Sequence, residues 1–193
     1  MSIPELVASL SELLLEPDEA IKLKAVGGVE AAVLIPIYAG DSGLVAVFTE
    51  RRADLRRHAG EVSFPGGRRD PGEDLRETAL REAEEEIGLE PQLVTVVGAL
   101  PPTPTFVTNY AVYPFVGLIE PGGTFRANPT EVEAVVELTL EDLVAGFERK
   151  RLIRRGVPIK TATYTVEGHF IWGATARILE GLLERLRPLL NPV

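Results

Sequence analysis

Near the N-terminus the apolar residues Ile3, Leu6, Val7, Leu10, Leu13 and Leu14 recur at three- and four-residue intervals, the spacing of one helical face. Ser2 and Glu5 have capping-box spacing, so a helix is predicted over residues 2–15. The pattern then changes. Residues 29–38 and 44–50 are rich in valine, isoleucine and aromatics, and the AGDSG between them is a turn, which predicts a β-hairpin. Residues 51–74 mix proline, glycine and arginine without periodicity and read as a long loop, a feature that compact domains usually keep for function. A helix is predicted from about 74, with Asp74 and Glu77 as its cap and Gly88 as its stop. Strands follow at 93–100, 110–119 and 132–138, a short helix at 141–147, a strand at 158–166, and a closing helix at 172–186 with Ala176, Leu179, Leu183 and Leu186 inward. Intermixed strands and helices, joined by both hairpins and longer crossovers, imply an α/β protein with a mixed sheet sandwiched by helices.

Length and charge narrow the classes. With 193 residues, the expected organisation is one domain over 1–193, with a helical extension at about 1–24 and a C-terminal helix at about 172–187. No apolar run is long enough to span a bilayer, and the N-terminus MSIPELVASLSELL lacks the basic flank of a signal peptide, so a soluble cytoplasmic protein with no membrane partner is expected. There are no cysteines, which excludes disulfides and thiolate chemistry and leaves oxygen or the two histidines to hold any metal. Oxygen ligands favour Mg²⁺, Mn²⁺ or Ca²⁺. The net charge of −9 argues against nucleic acid as a partner through its phosphate backbone, although a local basic pocket is compatible with it.

The helix after the loop carries Glu82, Glu84, Glu85 and Glu86 just before its glycine stop. Carboxylates at a helix C-terminus oppose the macrodipole by roughly 0.3–1 kcal/mol each, and the i,i+4 pair Glu82/Glu86 adds repulsion. On the helical wheel Ala79, Leu80, Ala83 and Ile87 form the buried stripe; Glu82, Glu85 and Glu86 border it, while Glu77 and Glu84 face away. Acids at the edge of a core raise one another's pKa or bind cations, and a divalent cation would offset the repulsion. Upstream stands FPGGRRDPGED, whose glycines allow close backbone approach to a metal or a phosphate.

From Gly67 to Leu89, GRRDPGEDLRETALREAEEEIGL is a complete Nudix box, and the chain resembles the Nudix hydrolases. The resemblance implies an α/β/α sandwich that cleaves a nucleoside diphosphate linked to another moiety, with Mg²⁺ or Mn²⁺ held by box glutamates. By position, Glu82 and Glu86 are the implied ligands, Glu85 a ligand or a helper through water, and the Gly66 or Gly67 carbonyl a further ligand. Arg81 and Glu73 are expected to pair and fix the loop against the helix. The general base is Glu82, Glu85 or a later acid such as Glu131, Glu133 or Glu137, with the box acids preferred. The upstream VFTERRADLRRHAGEVSFPGG resembles the signature of the coenzyme A pyrophosphatase branch at Thr49, Arg51, Arg56, Gly60, Phe64, Pro65, Gly66 and Gly67. It departs from it at Val47, Phe48 and Arg52. IWGATA at 171–176 is also similar to that branch. The implied substrate is coenzyme A or an acyl-coenzyme A, and the alternatives are ADP-ribose, another nucleotide derivative, or a non-catalytic binding domain. Arg51, Arg52, Arg56, Arg57 and His58 are candidate phosphate contacts, since arginine forks suit phosphate oxygens. His169 is expected to be structural and the basic run 148–155 a solvated face.

Overall fold

The computed structural model describes residues 2–52, 60–105, 109–154 and 157–190. Its centre is a mixed sheet. Strands β1 (Val29–Gly40) and β2 (Gly43–Arg51) form the expected hairpin, paired from Gly40/Gly43 to Ile37/Ala46. Beyond that point they part, and the gap is filled from both sides by the segment read as loop. Its β3 (Val62–Ser63) pairs with Thr49 and Glu50 of β2, and its β4 (Gly66–Arg68) pairs with Ala31, Ala32 and Val33 of β1. These pieces are too short to carry a periodic signal; their strand geometry comes from the edges they meet.

The sheet continues through β5 (Thr95–Ala99), β6 (Thr103–Pro104), β7 (Tyr110–Leu118) and β8 (Val132–Thr139). The β1–β7 pairing is parallel and runs from Val29/Tyr110 to Ile37/Leu118; β8 runs antiparallel to β2. Alternation along the central strands divides the core. Ala32 and Leu34 of β1 with Ala111, Tyr113 and Phe115 of β7 face one side, and Ile35, Ile37, Val116 and Leu118 face the other. On the first side lie α2 (Pro17–Lys22) and α3 (Leu75–Ile87), the latter burying Leu75, Ala79, Ala83 and Ile87. On the second lie α1 (Ile3–Leu13), α4 (Leu140–Ala145) and α5 (Gly173–Leu190), with a smaller sheet of β9 (Phe147–Arg154), β10 (Val157–Val166) and β11 (His169–Ile171). The expected α/β/α sandwich is present.

Some local expectations change. The run 148–155, read as a solvated face, supplies β9, whose charged residues hide its alternation. The six-residue α2 was not anticipated within the extension. The closing helix runs to Leu190, past Pro188. No helix among the described residues is long and apolar enough to cross a membrane.

Both ends of α3 follow their sequence signals. The Asp74 side chain accepts from Arg76 N, the capping box with Glu77 is complete, and Gly88 closes the helix at φ 67°, a left-handed conformation that suits glycine. Asp74→Ala is expected to cost about 1 kcal/mol of unfolding free energy in urea titrations of the metal-free protein.

Candidate active site

The two glycines at the sheet gap are required by contact. Pro65 O accepts from Leu34 N at 2.9 Å, which presses the loop onto β1. A Cβ on Gly66 would lie 2.4 Å from Ala32 O, and one on Gly67 would lie 2.4 Å from the Glu82 carboxyl group. The helix acids therefore sit directly against loop backbone. Gly66 N donates to Glu86 Oε2 at 3.1 Å, so loop and helix are also hydrogen-bonded at the site.

Arg81 organises the other side. Its Nε and Nη2 donate to the two Glu73 oxygens at 2.8 and 3.1 Å, and its Nη1 donates to Glu82 Oε1 at 2.9 Å and Glu85 Oε2 at 3.2 Å. Nη2 also reaches Arg68 O at 3.4 Å. Glu73 accepts in addition from Thr78 Oγ1 at 2.7 Å. The Arg81 bond is the main reason that the Glu73 carboxyl is lowered to about 2. One guanidinium thus ties the loop to α3 in a forked geometry that lysine could not supply. The predicted Arg81–Glu73 pairing is found, and Arg81 additionally holds two of the box acids.

The acids differ in environment. Glu86 is buried, at 8% exposure, and burial pushes its carboxyl up to about 7; the Gly66 N–H opposes this, the charges of Glu82 and Glu131 add to it, and Arg51 lowers it. Glu82 is also raised, first by burial and then by Glu85 and Glu131, against the Arg81 contact. Glu85 is the most exposed of the three, its side chain 56% accessible. Among the described residues no three acidic or histidine side chains form a ready-made cation cage, since Arg81 draws Glu82 and Glu85 toward itself.

The helix end is completed by backbone. Arg126 N and Asn128 N donate to the last carbonyls, Ile87 O and Glu86 O, both at 2.8 Å. Asn128 then anchors a turn, with Oδ1 accepting from Thr130 N and Oγ1 and its carbonyl accepting from Glu131 N and Val132 N. This turn brings Glu131 within electrostatic reach of Glu82 and Glu86. Of the three later acids, Glu131 is thereby placed at the site. Glu133 is exposed at the irregularity opposite Glu50 and Arg51, and Glu137 accepts from Tyr38 Oη at 2.5 Å, which together with the larger effect of burial pushes that phenol up to about 12. The turn sequence Asn128-Pro129-Thr130 was the available signal for Glu131.

The arginines divide. Arg51 acts electrostatically on Glu86, and its buried Nε has no hydrogen-bond partner among the described residues. Arg52 instead holds the Glu131 turn: its N donates to Glu131 O at 3.1 Å and its Nη1 to Pro129 O at 2.6 Å. Arg56, Arg57 and His58 lie outside the described residues. His169 faces Glu50, with Nδ1 3.5 Å from Oε2.

The family profile described as the NUDIX domain matches residues 29–157, and the chain belongs to the Nudix family. It is 39% identical over 160 residues to a protein of Photorhabdus laumondii named "Uncharacterized Nudix hydrolase NudL", covering 81% of this chain and 84% of that one. A protein of the same name from Salmonella paratyphi B is 41% identical over 157 residues, covering 79% and 80%. Among solved structures, the NUDIX domain of Shewanella oneidensis NrtR complexed with ADP ribose superposes with a TM-score of 0.55 at 16% identity, covering 99% of this chain and 100% of that one. A C. elegans Ap4A hydrolase binary complex gives 0.51 at 21%, covering 61% and 84%. These two likenesses share the fold.

Nudix hydrolases generally use divalent ions such as Mg²⁺ or Mn²⁺, and the residues here fit such an ion. The donor set is hard oxygen, the glycine cradle holds backbone within contact of Glu82, and a buried Glu86 gains a compensating charge. In the metal-free protein the raised carboxyl of Glu86 makes the folded state bind more protons than the unfolded state between 4.5 and about 7. This contribution to stability therefore falls as pH rises through that window and is flat above it. Glu86→Gln is expected to gain on wild type by on the order of 2 kcal/mol between about pH 5 and about pH 8, read from denaturant midpoints without metal. A constant difference across the range would contradict the assigned burial of a charge.

Proposed function

We propose that this protein is a metal-dependent pyrophosphatase that hydrolyses coenzyme A or an acyl-coenzyme A to 3′,5′-ADP and 4′-phosphopantetheine or its acyl derivative. The observation that carries the reading is the joining of two sequence features at one place: Gly66 and Gly67 of the coenzyme A-type signature lie against Glu86 and Glu82 of the box, and Arg51 of the same signature acts electrostatically on Glu86. Glu82 and Glu86, with Glu85 and the Gly66 or Gly67 carbonyl in support, would hold Mg²⁺ or Mn²⁺. The ion, when bound, would offset charge on the phosphoryl oxygens. Water adds to one phosphorus and the bridging oxygen leaves with the other phosphate, so no protein nucleophile is needed. Glu82, Glu85 or Glu131 takes the water's proton; the box acids remain the first choice, and Glu131 is the later acid that the turn presents to them. Arg81 and Glu73 act as positioning residues.

Glu82→Gln and Glu86→Gln are each expected to lower kcat by at least about 10²-fold at saturating metal, since each removes a charge that holds the ion. Glu84→Gln, which alters an acid outside the cluster, is expected to change kcat little. Near-normal turnover in either of the first two variants would overturn the ligand assignment.

Substrate choice is tested by comparison. If Arg51 binds the 3′-phosphate, Arg51→Ala costs coenzyme A about ten- to a hundredfold in kcat/KM and spares dephospho-coenzyme A. Equal loss on both assigns Arg51 to the diphosphate. A wild-type preference for dephospho-coenzyme A or ADP-ribose, with products read by mass spectrometry at fixed ionic strength, would replace the coenzyme A reading with that of another nucleoside diphosphate derivative.

A further inference from the structure

On the side of the sheet opposite α3, a cleft of about 290 Å³ opens between the small sheet and α5. Its size is close to the roughly 300 Å³ at which small-molecule sites begin. Val144, Phe147, Leu183 and Leu190 form its walls, and among the described residues no box acid lines it. Val144 and Phe147 are 46% and 38% exposed, so apolar surface is left open to water there.

Tyr164 lines the cleft as well. The residue is only 1% exposed, its ring packs against Phe147 with centroids 5.4 Å apart, and its Oη makes no hydrogen bond among the described residues. A buried phenol normally finds a partner. Burial first, and then the carboxylates of Glu180 and Glu184, push the hydroxyl up, against the effect of Arg149. It therefore stays protonated and can donate to an acceptor that enters the cleft.

The charges at the rim decide which acceptor. Arg149 is paired with Glu180 at 2.5 Å, and its guanidinium carbon lies 5.9 Å from the Phe147 centroid, so this cation is already engaged. Glu184 and Arg187 stand one turn apart on α5, and the lining thus holds two charges of each sign. An anion meets Glu180 and Glu184, and a cation meets Arg149 and Arg187. An uncharged molecule with an apolar body avoids both penalties, and one oxygen acceptor on it satisfies Tyr164.

We propose that this cleft is a binding site apart from the box acids, taking a small uncharged molecule with an apolar body and an oxygen that accepts from Tyr164. The site stands whichever diphosphate the box acids cleave.

Acetophenone and α-methylstyrene share a ring and a shape and differ in C=O against C=CH₂, so together they read the hydrogen bond. Each is titrated onto the 193-residue chain and followed by NMR at the valine and leucine methyl groups. Acetophenone is expected to bind about three- to tenfold more tightly. Tyr164→Phe deletes only a hydroxyl without a partner, so it is expected to keep the fold and bring the two probes to equal affinity. Val144→Trp adds bulk at a position already open to solvent and is expected to abolish binding of both, which localises the site. Benzoate and benzylammonium are expected to bind more weakly than acetophenone. Equal affinity of the two neutral probes for wild type would overturn the proposal, as would acetophenone binding that survives Val144→Trp, or no saturable binding at all. Tighter binding of either ion would overturn it too. So would a chain that self-associates in sedimentation and becomes monomeric with Val144→Trp, because a second copy would then cover the cleft. The wild-type comparison uses no variant and does not depend on how a substituted chain folds.

Discussion

The Glu82 carboxyl group occupies the space where a side chain on residue 67 would stand. That contact sets the distance between the loop and α3, and other features of the site follow from it. It needs β1 and β2 to part, because only there can β3 and β4 enter the sheet and present Gly66 and Gly67 to the helix. It needs the Ala79–Ala83–Ile87 stripe, which seats α3 on the sheet with its acids at the margin. It also needs a counterweight, since acids so close to one another and to a helix C-terminus repel.

The counterweight is distributed. Arg81 neutralises part of the charge from within the helix, Gly66 N–H offers a dipole to Glu86, and the N–H groups of Arg126 and Asn128 meet carbonyls at the helix end. None of these removes the burial that raises Glu86. The site keeps one buried carboxylate in a state that a nearby cation would improve.

Where local rules decide, the sequence was readable. The hairpin, both ends of α3 and the carboxylate edge each follow from residues a few positions apart, and the box is contiguous, so its acids were identifiable without the sheet. Where distant edges decide, it was not. β3 and β4 exist because β1 and β2 diverge, and β9 is a strand because β10 pairs with it, although its charges resemble a solvated run. The choice among Glu131, Glu133 and Glu137 depended on the Asn128 turn and on the irregularity near Glu133. Arg51 and Arg52 looked equivalent as cations; one faces the acids and the other fastens a turn.

That turn is held from two directions, by Arg52 at Pro129 and Glu131 and by the α3 terminus at Arg126 and Asn128. Swinging it outward would break the hydrogen bonds at both and leave the Glu86 and Ile87 carbonyls without those donors. It is thus a strut that holds the backbone at Glu131 in one place relative to α3. Any movement of this segment relative to the box acids therefore breaks hydrogen bonds to Arg52 and to α3 together.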